Sequence, residues 1–516
     1  AGRGMMASWE SAMVTAPPTA VVRMGTPAGR WVLVATIAGS GIALLDATVV
    51  NIALPEIGRS LRTDFATLQW IVNAYTLSLA SLILLAGALG DRFGRRRIFL
   101  IGVVWFALAS LLCGLAPNAE VLVGARALQG VGGALLTPGS LAIISSTFAA
   151  ADRAKAVGAW SGLGGVAAAI GPFAGGWLVQ IDWRAVFLVN LPVAAFIILV
   201  TLRHVPETKD TTSPPGLDIP GAVLTAVGLA AVTYALTRLG ERGGDTSVLV
   251  AGVAGVAALI GFVVVERRSP HPLMPLVLFS DRQFSATNAV TLLVYAGLGV
   301  FFFLLVLQLQ IVAGFSPLVA GTALLPVTLL MLLLSAQAGA LAERIGPRLP
   351  MTVGPLLAAA GFLLTLRIGP GASYLADVLP AVVVMGLGLA CTVAPLTATV
   401  LGSADPRYAG TASGVNNAIA RTGGLLAVAV IPVAAGLGGT DYTNPADFNS
   451  GFHTAMLIGA GLLVVGALLS AVLLRVPRRT RVPEQIPLER CTQCGVTGPQ
   501  FYPHTPASEQ TRGSAH

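Results

Sequence analysis

Charged residues are scarce in this 516-residue chain, since Asp, Glu, Lys and Arg make up 10% of it while hydrophobic residues make up 55%. Soluble domains carry about 25% charged residues. A water-facing surface cannot be built from so few charges. The composition therefore excludes the string of soluble domains that the length alone would suggest, and it indicates that lipid surrounds most of the chain.

Lysine is nearly absent, with Lys155 and Lys209 as the only two in the sequence. Neither of them follows a glycine. A Walker A phosphate loop requires a Gly-Lys pair, so this chain carries no such loop. The net charge of +8 comes from arginines at the ends of apolar runs. We therefore expect no nucleic-acid partner for these basic residues.

Cysteine and histidine are also rare, with four and five residues respectively. Cys113 and Cys391 lie singly inside apolar runs, which is not the pattern of a disulfide scaffold. Cys491 and Cys494 form one CxxC pair in the polar tail, but a zinc site would need a second well-spaced pair. We expect no metal site, no cofactor and no catalytic residues. An enzyme is the least expected class of protein.

Long apolar runs dominate the chain instead. A membrane-spanning helix needs about 20 mostly apolar residues, and fourteen runs in an order of six, two and six reach about that length. They lie near residues 31–55, 68–89, 98–116, 121–147, 156–179, 184–203, 218–238, 247–265, 284–312, 318–342, 349–368, 376–401, 410–437 and 453–475. The runs are too long for barrel strands and do not alternate. The predicted fold class is therefore an all-α, polytopic membrane protein with fourteen transmembrane helices.

Polar stretches divide these runs into five predicted regions. They are a disordered cytoplasmic N-terminus (1–30), an N-terminal six-helix bundle (31–203), a linker with two extra transmembrane helices (204–283), a C-terminal six-helix bundle (284–475) and a disordered cytoplasmic tail (476–516). Twenty Lys and Arg residues near the span ends then fall on the side of the N-terminus, and six fall on the other side. Cytoplasmic loops carry such an excess. We expect a multi-pass protein of the plasma membrane with both termini in the cytoplasm.

A similar loop follows the second helix of each six-helix block. The first reads Gly87-Ala-Leu-Gly-Asp91-Arg92-Phe-Gly94-Arg95-Arg96-Arg97, and the second reads Gly339-Ala-Leu-Ala-Glu343-Arg344-Ile-Gly346-Pro-Arg348. An acid-base pair, a glycine and an arginine recur at the same spacing. Two similar bundles suit alternating access to a site near the middle of the membrane, although short basic turns can also look alike by chance.

The first of these loops resembles the signature loop of the major facilitator superfamily. Four further stretches are similar to motifs of its fourteen-helix drug:proton antiporters: 45–55 in the first helix, 126–133 in the fourth, 165–176 in the fifth and 183–192 at the start of the sixth. The resemblance covers about residues 31 to 475. The second loop departs from the pattern, with Glu343 in place of Asp and Pro347 in place of a basic residue.

This resemblance implies the major-facilitator fold and a specific function. The expected activity is proton-coupled antiport that exports small lipophilic or cationic compounds, such as drugs, antibiotics and dyes, across the plasma membrane. The proton-motive force would drive it, with no cofactor, and the expected oligomeric state is a monomer. The alternatives are a proton-coupled symporter for metabolite uptake and a non-transporting membrane receptor on the same fold.

Asp46 is the one carboxylate well inside the first apolar run, and Arg126 lies inside the fourth. Counted along each helix, Asp46 lies about 22 Å and Arg126 about 20 Å from the inner face of the membrane, so the two side chains can meet. Burial disfavours a charged carboxylate, whereas a neighbouring guanidinium favours it. We therefore expect Asp46 to carry the coupling proton and Arg126 to tune it. A static ion pair that locks two helices is the alternative.

The loop after the second helix must turn within a few residues, for which its glycines permit close approach and positive φ. Asp91 is expected to cap the next helix or to meet a helix N-terminus across the bundle interface. The resemblance implies a cytoplasmic gating loop that latches the two halves, whereas an ordinary positive-inside turn is the simpler reading. The residues of this expected loop are Gly87, Gly90, Asp91, Arg92, Gly94, Arg95 and Arg96.

The fifth helix carries the small residues Gly171, Gly175 and Gly176 together with Pro172. Gly171 and Gly175 let another backbone approach, and Pro172 permits a kink. Packing alone would explain them, but the resemblance favours a moving antiport helix. Polar residues inside spans are further candidates for the substrate cavity, although such residues also bond helices together. They are Trp70, Asn73, Tyr75, Gln129, Gln308, Asn417 and Arg421.

Overall fold

The computed structural model describes residues 22–209, 216–242, 245–405, 408–438 and 444–474. Within these ranges the chain is helical apart from turns, short connections and an isolated parallel bridge between Val22 and Phe148. The prediction of an all-α membrane protein is therefore confirmed. The predicted tail, with its CxxC pair, lies outside the described residues, and so do residues 1–21.

We number the fourteen long helices in chain order. They are α1 (Pro27–Leu61), α2 (Phe65–Phe93), α3 (Arg95–Gly114), α4 (Ala119–Thr147), α5 (Ala150–Ile181), α6 (Ala185–His204), α7 (Ile219–Arg242), α8 (Thr246–Arg268), α9 (Arg282–Ile311), α10 (Pro317–Ile345), α11 (Arg348–Arg367), α12 (Tyr374–Ser403), α13 (Ala409–Ala434) and α14 (Pro445–Leu473). Of the described helices, thirteen are long and apolar enough throughout to cross a membrane. The remaining helix, α5, has 32 residues and includes the apolar stretch Ile170–Ile181.

Capping residues set helix ends that hydropathy alone misplaces. The side chain of Asn444 accepts a hydrogen bond from the backbone N–H of Ala446, and Pro445 occupies the first helical position. Both features start a helix. Helix α14 therefore begins eight residues before the predicted span at 453, because its first two turns are helical without being apolar.

Disorder was expected over residues 1–30, but residues 22–30, at the beginning of the described chain, have defined contacts. Thr26 caps α1, which starts at Pro27. Just before it, the backbone N–H of Val22 donates to the carbonyl of Thr147, and the N–H of Ala149 donates to the carbonyl of Val22. This segment is therefore held against the turn between α4 and α5.

Helices pack mainly against others from the same part of the chain. Helix α1 packs on α4, α5 and α6, and α4 packs on α2 and α3. In the later half, α9 packs on α13 and α14, and α12 packs on α10 and α11. Helices α7 and α8 pack on each other, and α7 also contacts α2 and α13. We retain the division into two bundles and an inserted pair as a proposal, which this packing supports.

The repeated loop has the same backbone form in both halves. Gly94 ends α2 with φ +113°, and Gly346 ends α10 with φ +88°. L-residues with a side chain rarely adopt such angles. The next helix begins one residue after Gly94 and two residues after Gly346. The sequence repeat is therefore also a repeat of structure.

We call the end of the assembly where α1 begins and α14 ends the terminal end, and the opposite end the distal end. At the terminal end, the segments that connect the helices contact one another. The backbone N–H of Arg95 donates to the carbonyl of Thr208, whose hydroxyl lies 2.9 Å from that of Ser146. The loop after α2 and the ends of α4 and α6 therefore lie together there.

Candidate functional site

Asp46 and Arg126 meet inside the first six helices, as their depths along α1 and α4 predict. Arg126 Nη1 donates to Asp46 Oδ2 at 2.5 Å, and Arg126 Nε donates to the carbonyl of Ile71 at 3.1 Å. Asp46 is 0% exposed and Arg126 is 1% exposed. Both charges are therefore removed from solvent in this conformation and neutralise each other.

Three polar side chains complete the network around the second carboxylate oxygen. Gln129 Nε2 donates to Asp46 Oδ1 at 2.8 Å, and Asn190 Nδ2 donates to the same atom at 3.1 Å. Both amides also donate to Ser110 Oγ, at 2.7 and 3.1 Å respectively. Helices α1, α3, α4 and α6 thus converge on one carboxylate, which accepts three hydrogen bonds and faces one positive charge.

Glycines next to Arg126 and Gln129 explain how α4 comes so close to its neighbours. A side chain at Gly130 would collide with the carbonyl of Tyr75 on α2. A side chain at Gly132 would lie 2.7 Å from the backbone nitrogen of Phe106 on α3. One face of α4 therefore presents glycines to α2 and α3 while another directs its polar residues at Asp46.

An aromatic residue borders the pair on the side of α2. The guanidinium carbon of Arg126 lies 4.4 Å from the centre of the Tyr75 ring. Such contacts stabilise an arginine that has lost its hydration. The Tyr75 hydroxyl donates to the carbonyl of Ala43 at 3.3 Å. Tyr75 is 3% exposed, so its ring is buried against the ion pair.

Each charge of this buried ion pair depends on the other. A charged side chain at the centre of a bilayer costs at least about 2.5–3.5 kcal/mol, and a partner offsets that cost only while it is itself charged. Protonation of Asp46 would leave Arg126 without its counter-charge. The charge of Asp46 therefore bears on how α1 and α4 hold together.

The other residues expected at a substrate cavity divide into two groups. Trp70, Asn417 and Arg421 are partly exposed. Asn73 is 1% exposed, and its Nδ2 is buried without a hydrogen-bond partner among the described residues. Gln308 instead ties helices of the later half together, since its Nε2 donates to the carbonyl of Ile368 and to Asn449 Oδ1.

Arg421 lies midway along the seam between α13 and α2. Near the distal end of this seam, Gln69 Nε2 donates to the carbonyl of Val428 at 2.6 Å. Towards the terminal end, a side chain at Gly414 would lie 2.9 Å from Leu84. Among the described residues, the ion pairs do not include Arg421. An arginine at this depth without an acidic partner is a candidate contact for substrate.

The first repeated loop is organised differently from the expected cap. Arg95 donates to Asp91 Oδ1 from Nε at 2.8 Å, one turn along the chain. The cap of α3 comes from Glu207, whose two carboxylate oxygens accept from the backbone N–H groups of Arg96 and Arg97 at 3.1 Å. The expectation that Asp91 caps α3 is therefore wrong, because Glu207 occupies that position.

The remaining residues of the expected gating loop have few contacts. Arg96 Nη2 donates to the carbonyl of Leu202 at 2.8 Å, and Arg92 lies over the ring of Phe93. An added Cβ would meet nothing within 4 Å at Gly90, and its nearest contact at Gly87 would be 3.8 Å away. Arg96 therefore anchors the loop to α6. The last turns of α2 have open space beside Gly87 and Gly90.

The glycines of α5 face two helices that belong to different halves of the chain. Side chains at Gly171 and Gly175 would collide with Thr48 and Val49 of α1. A side chain at Gly176 would lie 2.5 Å from Leu318 Cα of α10, and one at Gly321 of α10 would collide with the carbonyl of Pro172. Helix α5 therefore lies in backbone contact with both α1 and α10.

The two halves are joined at the distal end. Besides the contacts of α5 with α10, Gln310 Nε2 of α9 donates to the carbonyl of Ile52 in α1 at 3.0 Å. The ring of Phe65, at the start of α2, lies 5.8 Å from the ring of Phe303 in α9. Hydrogen bonds and aromatic packing thus close the distal end in this conformation.

Sequence reasoning missed several residues that the structure places at these sites. Ser110 and Asn190 bond to Asp46 or its partners, Glu207 caps α3, and Gln69 joins the halves. All but Glu207 are polar residues inside apolar runs, which is a signal that the sequence does contain. Which of many such residues converge on one carboxylate depends on helix rotation, and hydropathy does not report rotation.

Comparisons with known proteins agree with this architecture. The family model of the Major Facilitator Superfamily matches residues 36–428. The chain is 38% identical over 465 residues to the puromycin resistance protein pur8 of Streptomyces alboniger, covering 87% of this chain and 92% of that protein. It is 37% identical over 408 residues to the tetracenomycin C resistance and export protein of Streptomyces glaucescens, covering 78% and 75% respectively.

A solved structure shares the fold at much lower sequence identity. The peptide transporter POT in complex with sulfate aligns with a TM-score of 0.65 at 16% identity, over 88% of this chain and 96% of that one. At this identity the likeness shows the arrangement of helices alone.

Proposed function

Because this chain belongs to the Major Facilitator Superfamily of membrane transporters, we propose that it exports small lipophilic compounds, antibiotics and other drugs among them, in exchange for protons. Export is supported by the relatives named for antibiotic resistance and, in one case, for export. Its work is transport and not catalysis. The proton-motive force, and no cofactor, supplies the energy.

The observation that carries proton coupling is the buried network around Asp46. Asp46 accepts hydrogen bonds from Arg126, Gln129 and Asn190, and the guanidinium of Arg126 brings a positive charge against it. Protonation would remove the attraction to Arg126. A carboxylate whose charge holds α1, α3, α4 and α6 together is suited to link proton binding to helix movement, whereas a static ion pair would leave the transport cycle independent of pH.

The closed distal end defines the proposed state of the structure. The excess of Lys and Arg on the terminal side assigns that side to the cytoplasm, with both chain termini there. The distal end then faces outside, and the present conformation is closed to the outside. In this cycle the charged Asp46 belongs to the state that receives substrate from the cytoplasm, and proton arrival from outside accompanies release.

Two regions would move in such a cycle. The loop of Gly87, Gly90, Asp91, Arg92, Gly94, Arg95 and Arg96 latches the terminal end when the distal end opens, and the free space beside α2 is where the other half would dock. The antiport helix α5 is the surface along which α1 and α10 would move, since its backbone contacts both. Its residues in this role are Gly171, Pro172, Gly175 and Gly176.

Substrate contacts are proposed for the partly exposed polar groups at the seam between the halves. Arg421 provides a donor for acceptor oxygens of a substrate, and Trp70 provides an aromatic surface. Asn417 lies one turn before Arg421 on α13. Because Gln308 bonds α9 to α11 and α14, we assign it a structural role instead.

An efflux panel in cells that lack their own drug pumps tests the proposal. Cells expressing the protein should accumulate less of a lipophilic dye and tolerate higher antibiotic concentrations, and a protonophore should abolish both effects. Greater accumulation would indicate an uptake symporter. Unchanged accumulation of every compound, at confirmed membrane expression, would indicate a receptor that does not transport.

A further inference from the structure

We propose that Asn190 is a positioning residue whose side-chain amide reverses its hydrogen bonding when Asp46 takes up a proton. This inference rests on the proposed proton coupling at Asp46. In the present structure Asn190 Nδ2 donates to Asp46 Oδ1 at 3.1 Å and to Ser110 Oγ at 3.1 Å. The amide nitrogen therefore donates a hydrogen bond to the carboxylate in this structure.

The other end of the same amide is unsatisfied. Asn190 is 1% exposed, and its Oδ1 is buried with no hydrogen-bond partner among the described residues. Most buried polar side-chain atoms have a partner. The free Oδ1 of Asn190 lies beside the carboxylate of Asp46, which has no hydrogen to donate. A protonated Asp46 carries an O–H group, which is a donor that this oxygen can accept.

The remaining neighbours of Asp46 cannot accept that proton's hydrogen bond. Arg126 has donors only. Gln129 is committed at both ends, since its Nε2 donates to Asp46 and Ser110 while its Oε1 accepts from Arg126. A rotation of the Gln129 amide would break these three bonds and the one that its Oε1 accepts from Cys113 Sγ at 3.6 Å. The Asn190 amide can turn more easily, because its oxygen accepts no hydrogen bond that would be broken.

A half-turn of the Asn190 amide gives the protonated carboxyl group of Asp46 an acceptor. Its Oδ1 then replaces Nδ2 opposite Asp46 and accepts from the new carboxyl O–H. The hydroxyl of Ser110, which both accepts and donates, turns to donate to the same oxygen. Both bonds of Asn190 reverse direction as Oδ1 and Nδ2 exchange places, with Nδ2 moving to the position that Oδ1 leaves, so the buried acid has a hydrogen-bond partner on Asn190 in either protonation state.

The position of Asn190 on α6 makes this reversal relevant to helix movement. The helix is interrupted at Val189, because Pro192 has no N–H to donate to the carbonyl of Leu188. Asn190 follows this interruption and is the residue of α6 that bonds to Asp46 on α1. A change in the protonation of Asp46 would therefore act, through Asn190, on a helix that is locally weakened.

Infrared difference spectroscopy between high and low pH tests the inference in purified, lipid-reconstituted protein. The carboxylic acid band of protonated Asp46 is identified by its loss in Asp46→Asn. With Asn190 present this band should lie at the low wavenumber of a hydrogen-bonded acid. In Asn190→Leu it should move to higher wavenumber, and in Asn190→Ser, which retains a group that accepts, it should stay low. Export should slow by about tenfold in Asn190→Leu, corresponding to one lost hydrogen bond.

Asn416→Leu is the matched control, because Asn416 is also a buried asparagine but bonds to Asn288 and Thr291 in the other half. It should leave the Asp46 band unmoved. If Asn190→Leu does not fold, wild-type protein with carbon-13 in the asparagine amides should still show an amide carbonyl band that shifts when Asp46 is protonated. An Asp46 band at the same wavenumber with and without Asn190 would overturn the inference alone. The absence of any Asp46 band would overturn the proton coupling beneath it.

Discussion

Replacing Asp46 with asparagine removes one negative charge while it preserves the shape of the side chain. Arg126 then remains 1% exposed and keeps the carbonyl of Ile71, Gln129 Oε1 and the Tyr75 ring as neighbours. None of these carries a negative charge. Two consequences follow, one for stability and one for transport.

The stability consequence follows from breaking a buried ion pair. Removing one partner of such a pair costs about 3–5 kcal/mol, because the other charge stays buried without compensation. The remaining polar neighbours of Arg126 reduce this cost, so we expect a loss toward the lower end, about 3 kcal/mol. The double variant Asp46→Asn/Arg126→Gln removes the orphaned charge as well. It should therefore recover most of the stability lost in the single variant.

The transport consequence is separable from stability by the same pair of variants. Without a carboxylate that changes charge at this site, a pH gradient has no group to act on. Uphill export in vesicles with an imposed pH gradient should fall to the level of protein-free vesicles in both the single and the double variant. Thermal unfolding in detergent gives the stability of the same samples. Uphill export at the wild-type rate by either variant would refute the reasoning.

Three further predictions concern the regions that join the helices. Glu207→Gln should destabilise the protein by about 1 kcal/mol through weaker capping of α3, measured by thermal unfolding, and an unchanged midpoint would contradict the cap. Asp91→Asn, which keeps the size of the side chain, should weaken transport while membrane insertion stays normal; normal transport would remove the latch. Gly176→Val should separate α5 from α10, since an added Cβ would lie 2.5 Å from Leu318 Cα; spin-label distances across the distal end should lengthen, and unchanged distances would argue against closure by this contact.

The fold was largely predictable because its main determinant is local. Each span is a run of apolar residues long enough for the bilayer, so helix count and order follow from hydropathy. An exception has a local cause of another kind. Helix α14 starts early because Asn444 caps it.

The site was predictable only in part. Asp46 and Arg126 could be paired from their depth along α1 and α4, since depth depends on residue count alone. Ser110 and Asn190 could not be assigned to the same carboxylate, because that requires knowing how α3 and α6 are rotated. The cap of α3 by Glu207 depends on a contact between residues more than a hundred positions apart, which no local pattern encodes.

Proton movement driven by substrate is the most direct test of the central claim. Purified protein in vesicles with no initial pH or voltage difference would be given an inward gradient of an exported compound, and the internal pH would be recorded. Exchange through Asp46 predicts that the interior becomes more alkaline as substrate enters, and that this change is absent in Asp46→Asn. Substrate entry by the wild-type protein with no change in internal pH would contradict the account.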